Sequence, residues 1–450
     1  MSDRDPNFAS RFPYRAFFYL TIIFYILAEL AVPLLAPGHA VLHSFIIRAL
    51  LNDIYTTGAC LGTFFIYAIV LRPEPRQLLF ITLLGIIGEY VFWELRLAND
   101  PSISLERLFL HLGVGLGLSA WGAMLYTLWR DPQERPLLLP TLTLASLLPS
   151  WQILAYFVPN GILTVEEAHQ IKVPTLDCAL YYADGLLGFQ PSIWIGRLVL
   201  GWYPVKFLFN AIYSLIAFFM AMAAMRAFLY PNRNIAPPLL VFLAILLVGA
   251  PLTNIWTPAL GIKVFLGNLY PFGVPPSVED PAFKIIAPQT ENLCTIPSLH
   301  ASWLLACYWS LAAHKDWWRP AMGVIFIATL ISTLSIGGHY LIDLMVAVPF
   351  TLGCYAICVP WKSPWRLPQV GSLLFGWGST AFYLCLLKYS PASLIGHGAA
   401  LWSSLILTVA LSWWLKLYLD RSYLQNSLPE PAAPSEEEVP ETKLETPGAL

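Results

Sequence analysis

Long apolar runs separated by short basic breaks constrain this chain more than any other feature. Runs of about 20 residues nearly free of charge have the length that a helix needs to cross a ~30 Å hydrocarbon core. Within that core every backbone N–H and C=O must be satisfied inside the element itself, so such runs fold as helices. Of the 450 residues, 57% are apolar and 12% charged, about half the charged share of a soluble domain. That balance excludes a soluble globular enzyme. A net charge of −2 supplies no cationic excess for nucleic acid, and nothing in the sequence assigns a protein partner.

The predicted architecture is an all-α polytopic membrane bundle of about twelve transmembrane helices. They are expected near 16–36, 43–71, 78–97, 105–129, 137–158, 205–229, 237–258, 298–316, 320–338, 340–359, 370–387 and 397–419. Met1 to Arg15 is polar and no small-residue cleavage site follows the first run, so the first span is expected to be retained. Loops after even-numbered spans carry Arg72 and Arg76, Arg130 and Arg135, Arg226 and Arg233, Lys315 and Arg319, Lys362 and Arg366, then Lys416 and Arg421. The positive-inside rule then makes both termini cytoplasmic and puts the long loops 159–192 and 260–297 on the extracytoplasmic side. Ser192 to Tyr203, rich in Trp and Leu, reads as an interfacial amphipathic helix.

Four regions follow. Residues 1–136 hold about four spans of unassigned role, 137–360 a core, and 361–419 two C-terminal spans. Residues 420–450, with Pro429, Pro431, Pro434 and Pro440 and the run Ser435-Glu436-Glu437-Glu438, read as a disordered cytoplasmic tail. The seven cysteines show no metal-ligand spacing. Cys178 and Cys294 both fall in extracytoplasmic segments, so a bridge between them stays open. No metal site, phosphate-binding Gly-Lys loop or dinucleotide fingerprint is present, and no cofactor is expected.

Two short pieces carry the chemistry: Ile296-Pro297-Ser298-Leu299-His300, and Ser332 to Asp343 with its Gly337-Gly338-His339-Tyr340 centre. A span and its return separate the histidines, which brings both to one membrane face. Four residues apart, His339 and Asp343 share a helix face. A carboxylate on one imidazole nitrogen fixes the tautomer and raises the basicity of the other. Alone, the pair could equally be an interfacial helix cap. Pro297 and Ser298 mark a helix start, whose free N–H groups and dipole suit an anion, with His300 beside it as proton donor. Among the intramembrane carboxylates Glu29, Glu89 and Glu94, Glu89 and Glu94 read as partners for Arg96. His111 reads as a helix contact, and His39, His43 and His397 lack partners at ligand spacing.

These residues resemble the type 2 phosphatidic acid phosphatase superfamily, whose second and third signatures read P-S-G-H and S-R-x-x-x-x-x-H-x-x-x-D. Here they stand as Pro297-Ser298-Leu299-His300, then Ser332 and Thr333, five residues, His339, three residues and Asp343. Thr333 replaces the family arginine, and the first signature, K-x-x-x-x-x-x-R-P, is missing upstream. Leu299 for glycine, with Ala347 and Thr351 after Asp343, looks like the lipid phosphotransferase branch that includes inositolphosphorylceramide and sphingomyelin synthases. The stretch Tyr182 to Ser192 is similar to a D-x-x-L-F-G-x-x-P-S segment of bacterial members, beginning at Asp184. The resemblance spans about residues 140–360.

It implies a six-helix core and a membrane lipid phosphotransferase working through phosphohistidine, with membrane lipids as donor and acceptor. His339 would be the nucleophile, Asp343 its orienting group and His300 the acid. Ser298, Ser332, Tyr340, Asp184 and Arg197 would contact substrate, with Lys206, Lys263 and Lys284 as further cations near the outer face; each of the four cations reads equally as an interfacial snorkel. The alternative is a lipid or polyprenyl phosphate phosphatase with the same residues; a transporter or flippase is a third reading.

Overall fold

The computed structural model describes residues 54–99, 112–131, 135–160, 172–230, 235–288, 294–311, 316–361 and 366–427, with single residues 19, 22, 23, 26 and 133. Most of the first predicted span, with Glu29, His39, His43 and His111, lies outside them, as does 428–450. The helices begin with α1 (Ile54–Ile66), α2 (Pro75–Asn99), α3 (Val114–Arg130), α4 (Arg135–Asn160), α5 (Asp177–Gly185) and α6 (Pro191–Leu200). Next come α7 (Tyr203–Ser214), α8 (Ile216–Leu229), α9 (Pro238–Pro251) and α10 (Ile262–Leu266). The last five are α11 (Leu299–Ser310), α12 (Trp318–Ser335), α13 (Leu341–Cys358), α14 (Arg366–Tyr389) and α15 (Gly398–Ser427).

Among the described residues, α2, α12, α13, α14 and α15 are long and apolar enough to cross a membrane, and α7 with α8 would form a sixth span. This is an all-α, multi-pass membrane protein. Several predicted spans are interrupted. The one expected over 205–229 bends by 52° between α7 and α8. There the Ser214 hydroxyl donates to the Asn210 carbonyl at 2.8 Å, a back-bond that competes with the helix ladder. Pro251 ends α9, and the chain continues as a wider turn over Leu252–Trp256. In the expected interfacial stretch, α6 forms with Pro191 in its first turn. At the far end α15 runs past the expected boundary at Asp420 to Ser427, because the Asp420 carboxylate is engaged by Lys416 and the Tyr355 hydroxyl.

The long polar loops are tied together by two short antiparallel ladders that the apolar pattern does not announce. β1 (Lys172–Thr175) pairs with β3 (Ile285–Pro288), with Lys172 opposite Pro288. β2 (Pro258–Ala259) pairs with β4 (Cys294–Thr295). Behind this polar layer, α13 packs against α9, α11, α14 and α15, and α12 against α6, α7 and α11. α13 packs tightly on α14: a Cβ at Gly353 would stand 1.6 Å from Trp377 Cδ1, so only glycine fits. The N-terminal group joins the core through α1, which packs on α3, α4 and α8. Glu89 in α2 accepts the Gly113 N–H at 2.7 Å and the Leu116 N–H at 3.3 Å. Glu89 thus caps the start of α3 while the buried Arg96 of the same helix attracts its charge, as expected.

Candidate active site

Three helix ends meet under the polar layer: the starts of α11 and α13 and the end of α12. Ser298 is the N-cap of α11, its hydroxyl accepting the Ala301 N–H at 3.4 Å. The same oxygen lies 3.3 Å from His339 Nε2, and the Ser298 N–H donates to the Asp343 carbonyl at 3.3 Å. Ser298 therefore ties one helix start to the other. His300 follows in the first turn, its ring centre 5.7 Å from that of His339. On the other side of His339, Nδ1 lies 3.3 Å from Asp343 Oδ2, which also accepts the Tyr340 N–H at 2.9 Å. The fold thus brings together Ser298, His300, His339 and Asp343, all four called from sequence.

The loop carrying His339 is held from outside its own helices. Gly337 adopts φ 76°, in the left-handed region that glycine tolerates. Its carbonyl accepts the Lys263 N–H at 2.9 Å, and a Cβ on Gly337 would stand 2.6 Å from Lys263 Cβ. The Ser192 hydroxyl donates to the His339 carbonyl at 3.0 Å. Asp184 accepts the Leu341 and Ile342 N–H groups at 2.7 and 3.1 Å, so a carboxylate distant in sequence caps α13. Asp177 does the same for Leu260 and Gly261 and accepts the Tyr340 hydroxyl at 2.9 Å. The Tyr270 hydroxyl lies 2.7 Å from the Ser335 carbonyl at the end of α12.

Several residues expected to touch substrate are occupied by the scaffold instead. Asp184 and the Tyr340 hydroxyl make the contacts just described. The Ser332 hydroxyl donates to the Phe209 carbonyl at 2.6 Å. The Arg197 guanidinium donates to the Pro271 and Gly273 carbonyls, each at 2.7 Å. Of the other expected cations, Lys206 has its ammonium 5.9 Å from the Tyr203 ring, Lys263 is exposed beside Gly337, and Lys284 is half-buried. Thr333, at the family arginine position, is buried and donates to the Thr329 carbonyl on its own helix. Cys178, half of the bridge left open above, is a buried free thiol. Among the described residues no group of three or more His, Cys, Asp or Glu could hold a metal ion.

Burial sets the electrostatics. It pushes the His339 imidazole down to about 4, because the charged ring loses its water. It raises Asp184 to about 8, against the pull of its two N–H partners. A neutral, buried imidazole with a carboxylate on one nitrogen and only the Ser298 hydroxyl near the other is the form suited to nucleophilic attack.

The sequence reading missed Tyr55, Asp177 and Tyr270. Asp177 and Tyr270 sit in the polar loops, where a lone carboxylate or phenol has no periodic signature. Tyr55 belongs to α1, whose hydroxyl lies 2.8 Å from His300 Nε2. Nothing in the chain signals a contact across so many residues.

Fold and cluster together define a multi-pass membrane protein with a buried histidine–carboxylate site. Residues 178–357 match the PAP2 superfamily. That match, spanning α5 to α13, supports a phosphatase or phosphotransferase enzyme of lipid metabolism acting on membrane lipid phosphates. Neither curated proteins nor solved structures yield a match to the chain.

Proposed function

We propose that the protein is a lipid phosphotransferase that moves a phospho-head group from a phospholipid to a hydroxyl acceptor through phosphohistidine. The observation that carries this reading is the facing pair His300 and His339, 5.7 Å apart, with Asp343 against Nδ1 of His339. His339 Nε2 attacks phosphorus and breaks the bond to the lipid oxygen, while His300 gives that oxygen its proton. The acceptor hydroxyl then attacks the phosphohistidine, passing its proton to the now neutral His300, and His339 is restored. Ser298 and the free N–H groups at the start of α11 stabilise the phosphoryl oxygens. Residues 137–360 form the catalytic core, with the active site on the extracytoplasmic side and both termini cytoplasmic; the cation distribution supports this sidedness.

Transfer is preferred to hydrolysis because Thr333 replaces the arginine that would clamp a doubly charged terminal phosphate. A diester head group carries less charge and asks for fewer cations. The inositolphosphorylceramide synthase-like branch belongs to this proposal, and hydrolysis of a lipid phosphate is its alternative.

The test uses the purified full chain in vesicles of phosphatidylinositol, phosphatidylethanolamine and phosphatidic acid with diacylglycerol and ceramide. Acid-labile phosphate on His339, discharged by the lipid alcohol, supports transfer. Free phosphate alone makes the enzyme a phosphatase. Full activity in His339→Ala removes the histidine mechanism.

A further inference from the structure

The hydrogen-bond partner of His300 comes from outside the matched residues 178–357. The Tyr55 hydroxyl, at the start of α1, lies 2.8 Å from His300 Nε2, with the two ring centres 5.3 Å apart. Tyr213 closes the arrangement, its ring 4.6 Å from His300 and 6.0 Å from Tyr55. The other ring nitrogen of His300, Nδ1, is buried and has no hydrogen-bond partner among the described residues.

An imidazole has two nitrogens, and the group bound to one decides what the other can do. On His339 the carboxylate of Asp343 takes Nδ1 and leaves Nε2 facing Ser298. His300 has the transposed arrangement: a phenol at Nε2 and an open Nδ1. A phenol oxygen can accept from Nε2–H. The Nδ1 lone pair is then free to take the acceptor's proton. In the imidazolium form the same oxygen keeps hold of Nε2–H, so Nδ1–H is the proton surrendered to the leaving oxygen. Tyr55 retains its own proton throughout.

We propose that Tyr55 is the positioning residue of His300, fixing the ring nitrogen through which it exchanges protons, so that the N-terminal helices complete a site otherwise built from residues 178–357. This rests on the phosphotransfer reading above. It also gives a role to a helix group that the sequence leaves unassigned.

The titratable groups facing His300 are Tyr55 from α1, Tyr213 from α7 and His339, with Asp343 of α13 behind His339. Of the other helices packed on α11, α8 and α12 hold Arg226 and Arg319 at their far ends, and α9 has no charged residue.

The experiment compares Tyr55→Phe with the parent in the mixed vesicles above, as full pH profiles of kcat and KM. The phenylalanine keeps the ring packing and deletes one oxygen. The expected result is a fall in kcat of about tenfold or more with KM little changed. The alkaline limb should also move to lower pH, because the His300 imidazolium loses an acceptor. Nitrogen NMR of labelled His300 reads the tautomer independently of turnover: Nε2–H in the parent, a mixture in the variant. An unchanged tautomer overturns the inference, and so does a loss of kcat with an unmoved limb, which would mean packing alone. His339→Ala separates the two levels. If it stays active, the phosphotransfer reading falls; if it is silent while Tyr55→Phe behaves as parent, only the role of Tyr55 falls.

Discussion

The two ends of the α11–α13 pair bury ionisable groups in opposite ways. At their starts Asp177, Asp184 and Asp343 are all buried, and among the described residues none pairs with Lys or Arg. Their partners are backbone N–H groups, one phenol and one imidazole. At the opposite end the charges are neutralised by ordinary ion pairs. Lys416 lies 2.6 Å from Asp420 and donates to the Trp309 carbonyl at the end of α11, while Arg226 pairs with Asp316. The difference teaches what each end is for. A cation beside the histidines would compete with His339 for Asp343, whereas helix-start amides satisfy a carboxylate without adding a mobile charge. Away from the site, ion pairs clamp the helices and have no chemistry to disturb.

The sharpest way to break this contrast is to remove its chemical centre. His339→Ala should lower phosphotransfer at least about a thousandfold with little change in thermal unfolding, checked by head-group release and a melting curve on the same sample. Asp343→Asn keeps the Tyr340 N–H contact but loses the charge behind His339. A fall in kcat of roughly a hundredfold is expected, and near-parental turnover would show that the carboxylate only caps α13.

At the opposite end, Lys416→Met should leave the buried Asp420 without its cation. The expected cost is about 3 kcal/mol of stability, read in detergent unfolding, with kcat per folded molecule unchanged. A change in kcat there would erase the functional difference between the ends. Asp184→Ala, which strands two N–H groups of α13, should cost about 2 kcal/mol and also slow turnover by disturbing the His339 loop. Asp184→Asn should recover part of both.

The mildest test is pH. Burial holds the His339 imidazolium unfavourable, so the ring stays neutral and nucleophilic until the pH falls to about 4. The acid limb of kcat should therefore lie below the ordinary histidine range near 6.5. A limb at the ordinary value would mean that water reaches the ring freely.

Much of the candidate site was legible because its signals are local. Pro297 and Ser298 start a helix wherever they stand before an apolar run, and His339 and Asp343 lie four apart on one chain segment. The stretch from Asp184 to Ser192 was also recognisable as a unit. Its role was not: it holds the His339 loop through a cap and a hydroxyl bond, contacts that cross more than a hundred residues of chain. Span counting was less secure, since a hydropathy window does not register the Ser214 back-bond or the Pro251 stop that divide apolar runs.

What the sequence by itself determined was the solvent. Apolar runs of membrane length leave the backbone no partner but itself, so helices in a bilayer follow from composition and run length alone. It also determined which side chains can do proton chemistry, because their spacing is set within single helix turns. Only the tertiary structure decided which carboxylates cap which helices, that Arg197 and Ser332 serve the scaffold, and that Tyr55 reaches His300. Those are encounters between segments far apart in the chain, and except for Tyr55 with His300 their partners are backbone amides and carbonyls, which every residue carries and no sequence pattern can single out.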